Sequence, residues 1–194
     1  MDDNMKKIDS IVGEYKYGFT TEGITPIIDL GKGLSEEKVR KISEIKGEPK
    51  WMTDFRVESY HNFLNIPNPD FGPGLDHIDF DEFTYYKSYG NGPVNTWDEV
   101  PDKIKETFER LGIPEAERNY LAGAATQFDS EVVYSASQKE LEDAGIIYLD
   151  TDTALKEHEE LFKKYFGTIV SNKDNKYAAL NSAVWSGGTF IYVP

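Results

Sequence analysis

The clearest candidates for chemistry lie in the string DHIDFDEF. If this string is extended, His77, Asp79 and Asp81 lie on one face of it, because side chains alternate between the two faces of a strand. One imidazole and two carboxylates could hold a divalent metal ion. The other interpretation is a half-buried strand in which Ile78 and Phe80 face inward and the charged side chains are solvated. We favour this second interpretation, because no further ligand group or supporting residue follows nearby.

The remaining chemical groups occur without a recognisable pattern. The chain has three histidines, and His61 and His158 stand in contexts unrelated to each other or to His77. Asp150 and Asp152 are spaced as in a calcium-binding loop, but the glycine and the bidentate glutamate of such a loop are missing. The sequence has no glycine-rich phosphate loop, no HExxH, no GxSxG and no cysteine, which excludes thiolate chemistry. We therefore predict no catalytic, cofactor-binding or metal-binding residues.

Composition limits the class of protein. The 194 residues are 39% hydrophobic and 13% aromatic, which allows a packed core. The formal net charge of −14 repels nucleic-acid phosphates and anionic lipids. No apolar run approaches the roughly 18 residues of a membrane span, and the N-terminus lacks the apolar centre of a signal peptide. We predict a soluble, cytoplasmic protein without nucleic-acid or membrane partners.

Two helices are predicted in the first third of the chain. Ser35 stands where an N-cap belongs and Gly47 where a helix ends, with apolar residues at helical spacing between them. Pro49 opens a second helix and Pro67 closes it. Its apolar residues are Trp51, Phe55, Val57, Phe63 and Leu64. The spacing predicts an αα-hairpin whose apolar stripes face each other.

Further along, helices are predicted over residues 98–111 and 114–125. Strands are predicted over 131–135 and 145–149 with a short helix between them, which is compatible with a parallel crossover. We place a domain boundary near Phe128, because helices precede it and strands follow it.

The final part of the chain alternates helix and strand signals. A helix is predicted over 155–165, with acidic and basic residues four apart, and a strand from Ile169. The pairs four apart are Glu159 with Lys163 and Glu160 with Lys164. Ala178–Trp185 is small and apolar, and Thr189–Val193 reads as a strand. Because an apolar strand presents unpaired backbone groups, we expect the chain to be the front portion of something larger, or to self-associate through residues 189–193.

Four strings, which span Glu14 to Pro194, resemble SufB, the scaffold subunit of the Suf iron–sulfur cluster assembly machinery. They are EYKYGF, GLSEEKVRKISEIKGEPKWMTDFR, TFERLGIPEAERNYLAGAATQFDSEVVY and DNKYAALNSAVWSGGTFIYVP. The resemblance implies an α+β fold with a helical N-terminal domain, residues 1–128. Residues 129–194 would then begin a core domain, as the first strands of a right-handed parallel β-helix.

The resemblance also implies a function for the full-length protein. A SufB scaffold is not an enzyme: it assembles a nascent iron–sulfur cluster in a complex with SufD and the ATPase SufC. The residues implicated in that chemistry lie beyond the point that matches Pro194, so none is carried onto this chain, and no cofactor is expected in it. We predict an interaction and folding module of an iron–sulfur scaffold. The alternative is an acidic metal-dependent hydrolase that uses His77, Asp79 and Asp81.

Overall fold

The computed structural model describes residues 25–70, 74–89, 102, 105, 106, 123–128, 131–137, 141 and 143–194, with the backbone alone for 123–128 and 131–137. The elements are β1 Ile28–Asp29, α1 Glu36–Lys46, α2 Lys50–Asn65, a 3₁₀ turn Phe80–Glu82, β2 Lys87–Ser88, β3 Gly123–Phe128, β4 Glu131–Ser137, β5 Ile147–Asp150, α3 Thr151–Glu157, α4 Glu159–Tyr165, α5 Lys176–Val184 and β6 Thr189–Tyr192. The helix predicted over 98–111 lies outside the described residues except at 102, 105 and 106, which are helical. Residues 114–122 of the next predicted helix also lie outside them. Within the described part, no helix has the length and apolarity to cross a membrane.

Helix α1 forms where its capping residues predict it. The Ser35 hydroxyl accepts a hydrogen bond from the Lys38 amide at 3.2 Å, and Gly47 ends the helix with φ 63°. A positive φ favours glycine, so this residue allows the chain to turn directly into α2. Val39 and Ile42 are fully buried. The predicted start, end and buried side of α1 are confirmed.

Helix α2 has the predicted ends but a different buried face. Pro49 precedes its first residue, and the chain leaves the helix at Ile66, just before Pro67. Its buried residues are Met52, Arg56, Ser59 and Phe63, and Leu64 is 55% exposed. The helix contacts α1, as the predicted hairpin requires, but packs more extensively on α5. This second partner explains the difference, because the fully buried Ala179 and Ala183 of α5 leave room for long side chains of α2.

The strands form three separate two-stranded antiparallel sheets, β1–β2, β3–β4 and β5–β6. Residues 123–125, predicted to be helical, lie in β3, where pairing with the next strand outweighs the weak strand preference of glycine and alanine. Strands β4 and β5 lie in different sheets, so the parallel crossover predicted between them is not found among the described strands. The described part is an α+β mixture, and the parallel β-helix stays a prediction.

Strand β6 forms at the predicted position, but its partner comes from within the chain. Its Thr189 lies opposite Asp150 and its Tyr192 opposite Ile147 of β5. One edge of the predicted strand is therefore paired within the chain. Ile191 and Val193 are 60% and 66% exposed. Self-association through residues 189–193 remains a prediction.

The helix predicted over 155–165 is two short helices. Asp150 starts α3 by accepting hydrogen bonds from the amides of Asp152 and Thr153, and the backbone breaks at His158, between α3 and α4. The strand predicted from Ile169 is wrong: a turn at residues 166–167, with Gly167 at φ 69°, leads into a bend over 168–170, and Ile169 is 94% exposed.

The acidic and basic residues that stand four apart on α4 do not form ion pairs with each other. Neither Glu159 nor Glu160 lies within 4.0 Å of its lysine partner four residues on, among the described side chains. The Glu159 carboxylate accepts a hydrogen bond from the Trp51 indole at 2.8 Å. Lys163 lies over the same ring, with its Nζ 5.6 Å from the ring centre. Contact with α2 therefore replaces the local pairs.

The core lies between α2, α3, α4 and the segment that follows α5. It is formed by Met52, Ala154, Leu155, Phe162 and Trp185. The Phe162 ring stacks on Phe166, Phe190 and Trp185, at centroid distances of 4.9, 5.7 and 6.1 Å. The core joins residues from both sides of Phe128, and the domain boundary proposed there stays a prediction.

Candidate functional site

The residues singled out as possible metal ligands lie on a turn. The Asp79 carboxylate accepts a hydrogen bond from the Asp81 amide at 3.0 Å and caps the 3₁₀ turn, so the segment is not the predicted strand. Ile78 and Phe80 are half-buried and the charged residues are exposed, as the solvated interpretation predicts. Among the described residues, no group of three or more histidine, aspartate or glutamate side chains is placed to hold a metal. The structure gives no support to the hydrolase alternative.

These residues nevertheless share a groove of about 520 Å³ beside the end of α2. Its lining is Leu34, Phe63, Leu64, Asp76, His77, Ile78, Asp79, Phe80, Asp81 and Lys176. The Phe63 and Phe80 rings meet edge to face at 5.1 Å. The Lys176 ammonium donates to the carbonyls of Phe63 and Ile66 at 2.7 and 3.2 Å. A cation at these carbonyls stabilises the end of α2 and fixes the start of α5 against it.

A second cluster of charged side chains is buried where the helix pair α1–α2 meets α3 and the end of α5. We call Lys46, Glu48, Arg56, Asp152 and Trp185 the buried interlock. The side chains of Arg56 and Glu48 are 0% and 1% exposed, and the guanidinium donates two hydrogen bonds of 2.7 and 2.6 Å to the carboxylate. Arg56 also donates to the carbonyl of Ala183 at 3.1 Å. This arginine therefore joins the α1–α2 loop to the end of α5.

Lys46 makes a second connection, from the end of α1 to α3 and to the segment after α5. The Lys46 ammonium donates to Asp152 at 2.6 Å and to the Ser186 carbonyl at 2.5 Å. Both cations lie over the Trp185 ring: the Arg56 guanidinium carbon is 4.5 Å and the Lys46 nitrogen 5.9 Å from the ring centre. Such contacts between cations and aromatic rings are favourable, more so when water is excluded. The interlock thus holds residues 183–186 on the helix pair by charge as well as by packing.

The interlock was not anticipated from the sequence. Lys46 and Arg56 stand on helices whose polar residues would ordinarily face water. One local signal was available: both occupy positions that continue a buried helix face, Lys46 after Val39 and Ile42, and Arg56 after Met52. Such a position predicts a buried cation with a partner, but it does not identify the partner.

The charges of this region are unevenly matched. Asp150, 2% exposed, lies close to the interlock, so three carboxylates face two cations. The Asp150 carboxylate is satisfied by its capping hydrogen bonds, including one of 2.6 Å from the Thr153 hydroxyl. One oxygen of Asp152 is buried without a hydrogen-bond partner. Burial raises the pKa of Asp152, Lys46 opposes that rise, and the neighbouring carboxylates Asp150 and Glu48 add to it.

This raised pKa gives a testable pH dependence. Because the native pKa of Asp152 lies above that of the unfolded chain, the native state binds the proton more readily. Ionised Asp152 therefore lowers stability above its native pKa, and this penalty is lost as the pH falls through that value towards about 4. Compared with Asp152→Asn, the wild type should gain in free energy of unfolding between neutral and mildly acidic pH. Urea denaturation of both proteins across this range measures the difference; a relative loss would show that the attraction of Lys46 outweighs burial.

Comparison with known proteins supplies the family. The family model of the SufBD protein N-terminal region matches residues 120–194. The iron–sulfur cluster assembly SufBD family proteins of Staphylococcus aureus strain USA300 and of Staphylococcus saprophyticus are each 55% identical over 183 residues. Each match covers 94% of this chain, and the chain spans 39% of the length of these relatives. The names do not distinguish SufB from SufD. These matches identify the chain as a SufBD-family sequence that carries the family's N-terminal region.

Proposed function

We propose that this chain is the N-terminal interaction and folding module of a SufB-type scaffold for iron–sulfur cluster assembly. The chain is 55% identical to SufBD proteins in an alignment that covers 94% of its length, and this similarity supports a role in the same assembly system. The choice of SufB rests on the string DNKYAALNSAVWSGGTFIYVP, which resembles a passage of SufB chains. In the full-length protein the partners are SufD and the ATPase SufC, and the module itself is not an enzyme.

The observation that carries this proposal is the connection between the helix pair and α5. Residues 176–192 lie within the match to the family model. Lys46 and Arg56 donate to the carbonyls of Ser186 and Ala183 in this segment. Lys176 donates from the segment to the Phe63 carbonyl of α2. Side chains that are used in this way position a segment of the chain. The arrangement therefore supports a module that fixes the beginning of the scaffold core on its helical part.

The donor set of this chain does not fit an iron–sulfur cluster. Such clusters are held chiefly by cysteine thiolates, and the 194-residue sequence has no cysteine. Within the described residues no cluster of histidine and carboxylate side chains could substitute for them. We therefore assign the cluster chemistry to other parts of the full-length protein and derive no step of it here.

The proposal is tested with the full-length protein in cells depleted of it. We expect depletion to lower the activity of iron–sulfur enzymes, and the wild-type gene to restore that activity. A gene with Arg56→Met should restore less, because the helix pair then loses its charged connection to Ala183. The matched control is Arg40→Met, which removes a half-exposed arginine of α1 and its ion pair with Glu36.

Co-purification with SufC and SufD is the second measurement. The full-length wild-type protein should elute with both partners in size-exclusion chromatography. Unchanged iron–sulfur enzyme activity on depletion, together with separate elution of the three proteins, would contradict the proposed function.

A further inference from the structure

The groove beside the end of α2 combines an apolar floor with an acidic rim. Half-buried Leu34, Ile78 and Phe80, together with buried Phe63, form the floor. Leu64 stands at the edge with 55% of its surface exposed. A volume of about 520 Å³ falls in the range of roughly 300–1,000 Å³ that is usual for ligand-binding clefts. An apolar concavity of this size favours a partner that can bury a large side chain in it.

The acidic rim is not neutralised by the described part of the protein. Asp76, Asp79 and Asp81 are exposed, and none forms an ion pair among the described residues. Asp76 accepts a hydrogen bond from the Asn68 amide at 2.9 Å, which leaves its charge in place. The lysine of the lining, Lys176, directs its ammonium to the carbonyls of Phe63 and Ile66. The rim therefore presents three carboxylates around the apolar floor.

The apolar floor and the acidic rim together indicate which kind of ligand the groove can bind. Anionic ligands are repelled by the rim and by the net charge of −14. A metal ion is disfavoured, because the described carboxylates and His77 do not converge as a group of ligands. An occupant with positive charges around an apolar group satisfies both parts of the surface. We propose that the groove docks a segment of a partner protein in which lysine or arginine residues flank a large apolar side chain.

The proposal is independent of the SufB assignment, since it uses the groove residues alone. Leu64 supplies apolar contact and Asp81 supplies charge, and both are exposed and outside the core. Their substitution should leave the fold intact, so a change in binding reports on the groove. Far-ultraviolet circular dichroism of each variant checks this point.

The probe is a fluorescein-labelled synthetic peptide of lysines and leucines, and the matched peptide has glutamate in place of lysine. Fluorescence anisotropy should show binding of the lysine peptide alone. Leu64→Ser should raise its dissociation constant about tenfold, since roughly half of a leucine's burial is lost. Asp81→Asn should raise it about two- to fivefold, the scale of an exposed charge pair, and salt should reduce this difference.

Two control variants lie outside the groove. Ile169→Ser removes an apolar side chain that is 94% exposed, and Glu37→Gln removes an exposed carboxylate without an ion pair in the described residues. Both should bind the peptide as the wild type does. Equal weakening in groove and control variants would overturn the proposal in favour of attraction by net charge. Displacement of the peptide by magnesium or zinc at stoichiometric concentration would overturn it in favour of a metal site.

Discussion

Replacing Arg56 by methionine should lower the free energy of unfolding by about 3–5 kcal/mol, because the buried Glu48 carboxylate would lose its positively charged partner. The Glu48 side chain is 1% exposed and accepts two hydrogen bonds from this guanidinium. The same substitution leaves the Ala183 carbonyl without its donor. Urea denaturation followed by circular dichroism measures the change.

Two further variants test this explanation. The double variant Arg56→Met/Glu48→Leu removes both charges, and it should recover most of the lost stability, because a buried apolar pair is about as stable as a buried ion pair. Arg40→Met, on the exposed side of α1, should change stability by less than about 1 kcal/mol. An Arg56→Met protein as stable as Arg40→Met would show that water reaches Glu48.

Replacing Trp185 by alanine should lower the free energy of unfolding by about 3–5 kcal/mol, the usual effect of removing a buried aromatic side chain. The residue is 9% exposed, and its ring contacts Phe162, Phe166 and the Arg56 guanidinium. The removed ring would leave a cavity at the centre of the core. It would also take away the aromatic surface over which the two buried cations lie. Thermal and urea denaturation measure the loss.

The matched control for this substitution is Trp51→Ala. Trp51 is half-buried beside the core and holds one hydrogen bond to Glu159. It should therefore lose clearly less stability than Trp185→Ala. Equal losses for the two variants would contradict the central position that we give to Trp185.

Local chemistry made part of this fold predictable. Ser35, Gly47 and Pro49 mark the ends of the two helices through capping and through the conformations that proline and glycine prefer. The strand at 189–193 follows from its β-branched and aromatic residues. These signals act over a few residues, so the sequence is sufficient to read them.

The remaining features depend on residues far apart in the chain. The buried face of α2 is decided by α5, and a helical pattern cannot show that the facing residues are alanines. The strand predicted at Ile169 failed for a local reason, because Gly167 turns the chain just before it. At the groove, the solvated state of His77, Asp79 and Asp81 was predictable. The turn that brings these residues next to Phe63 was not.

The long separations within the interlock have a consequence during protein synthesis. Lys46 precedes its carbonyl partner Ser186 by 140 residues, and Arg56 precedes Ala183 by 127. At roughly 5–20 residues per second, a ribosome needs about 7–28 s to make that stretch, and α2 emerges long before its packing partner. If this helix face consisted of leucine and phenylalanine alone, it would expose an apolar surface that promotes aggregation with other chains throughout this delay. We expect Arg56 and Ser59, which lie on this face of α2, to keep part of it hydrated until α5 has been made.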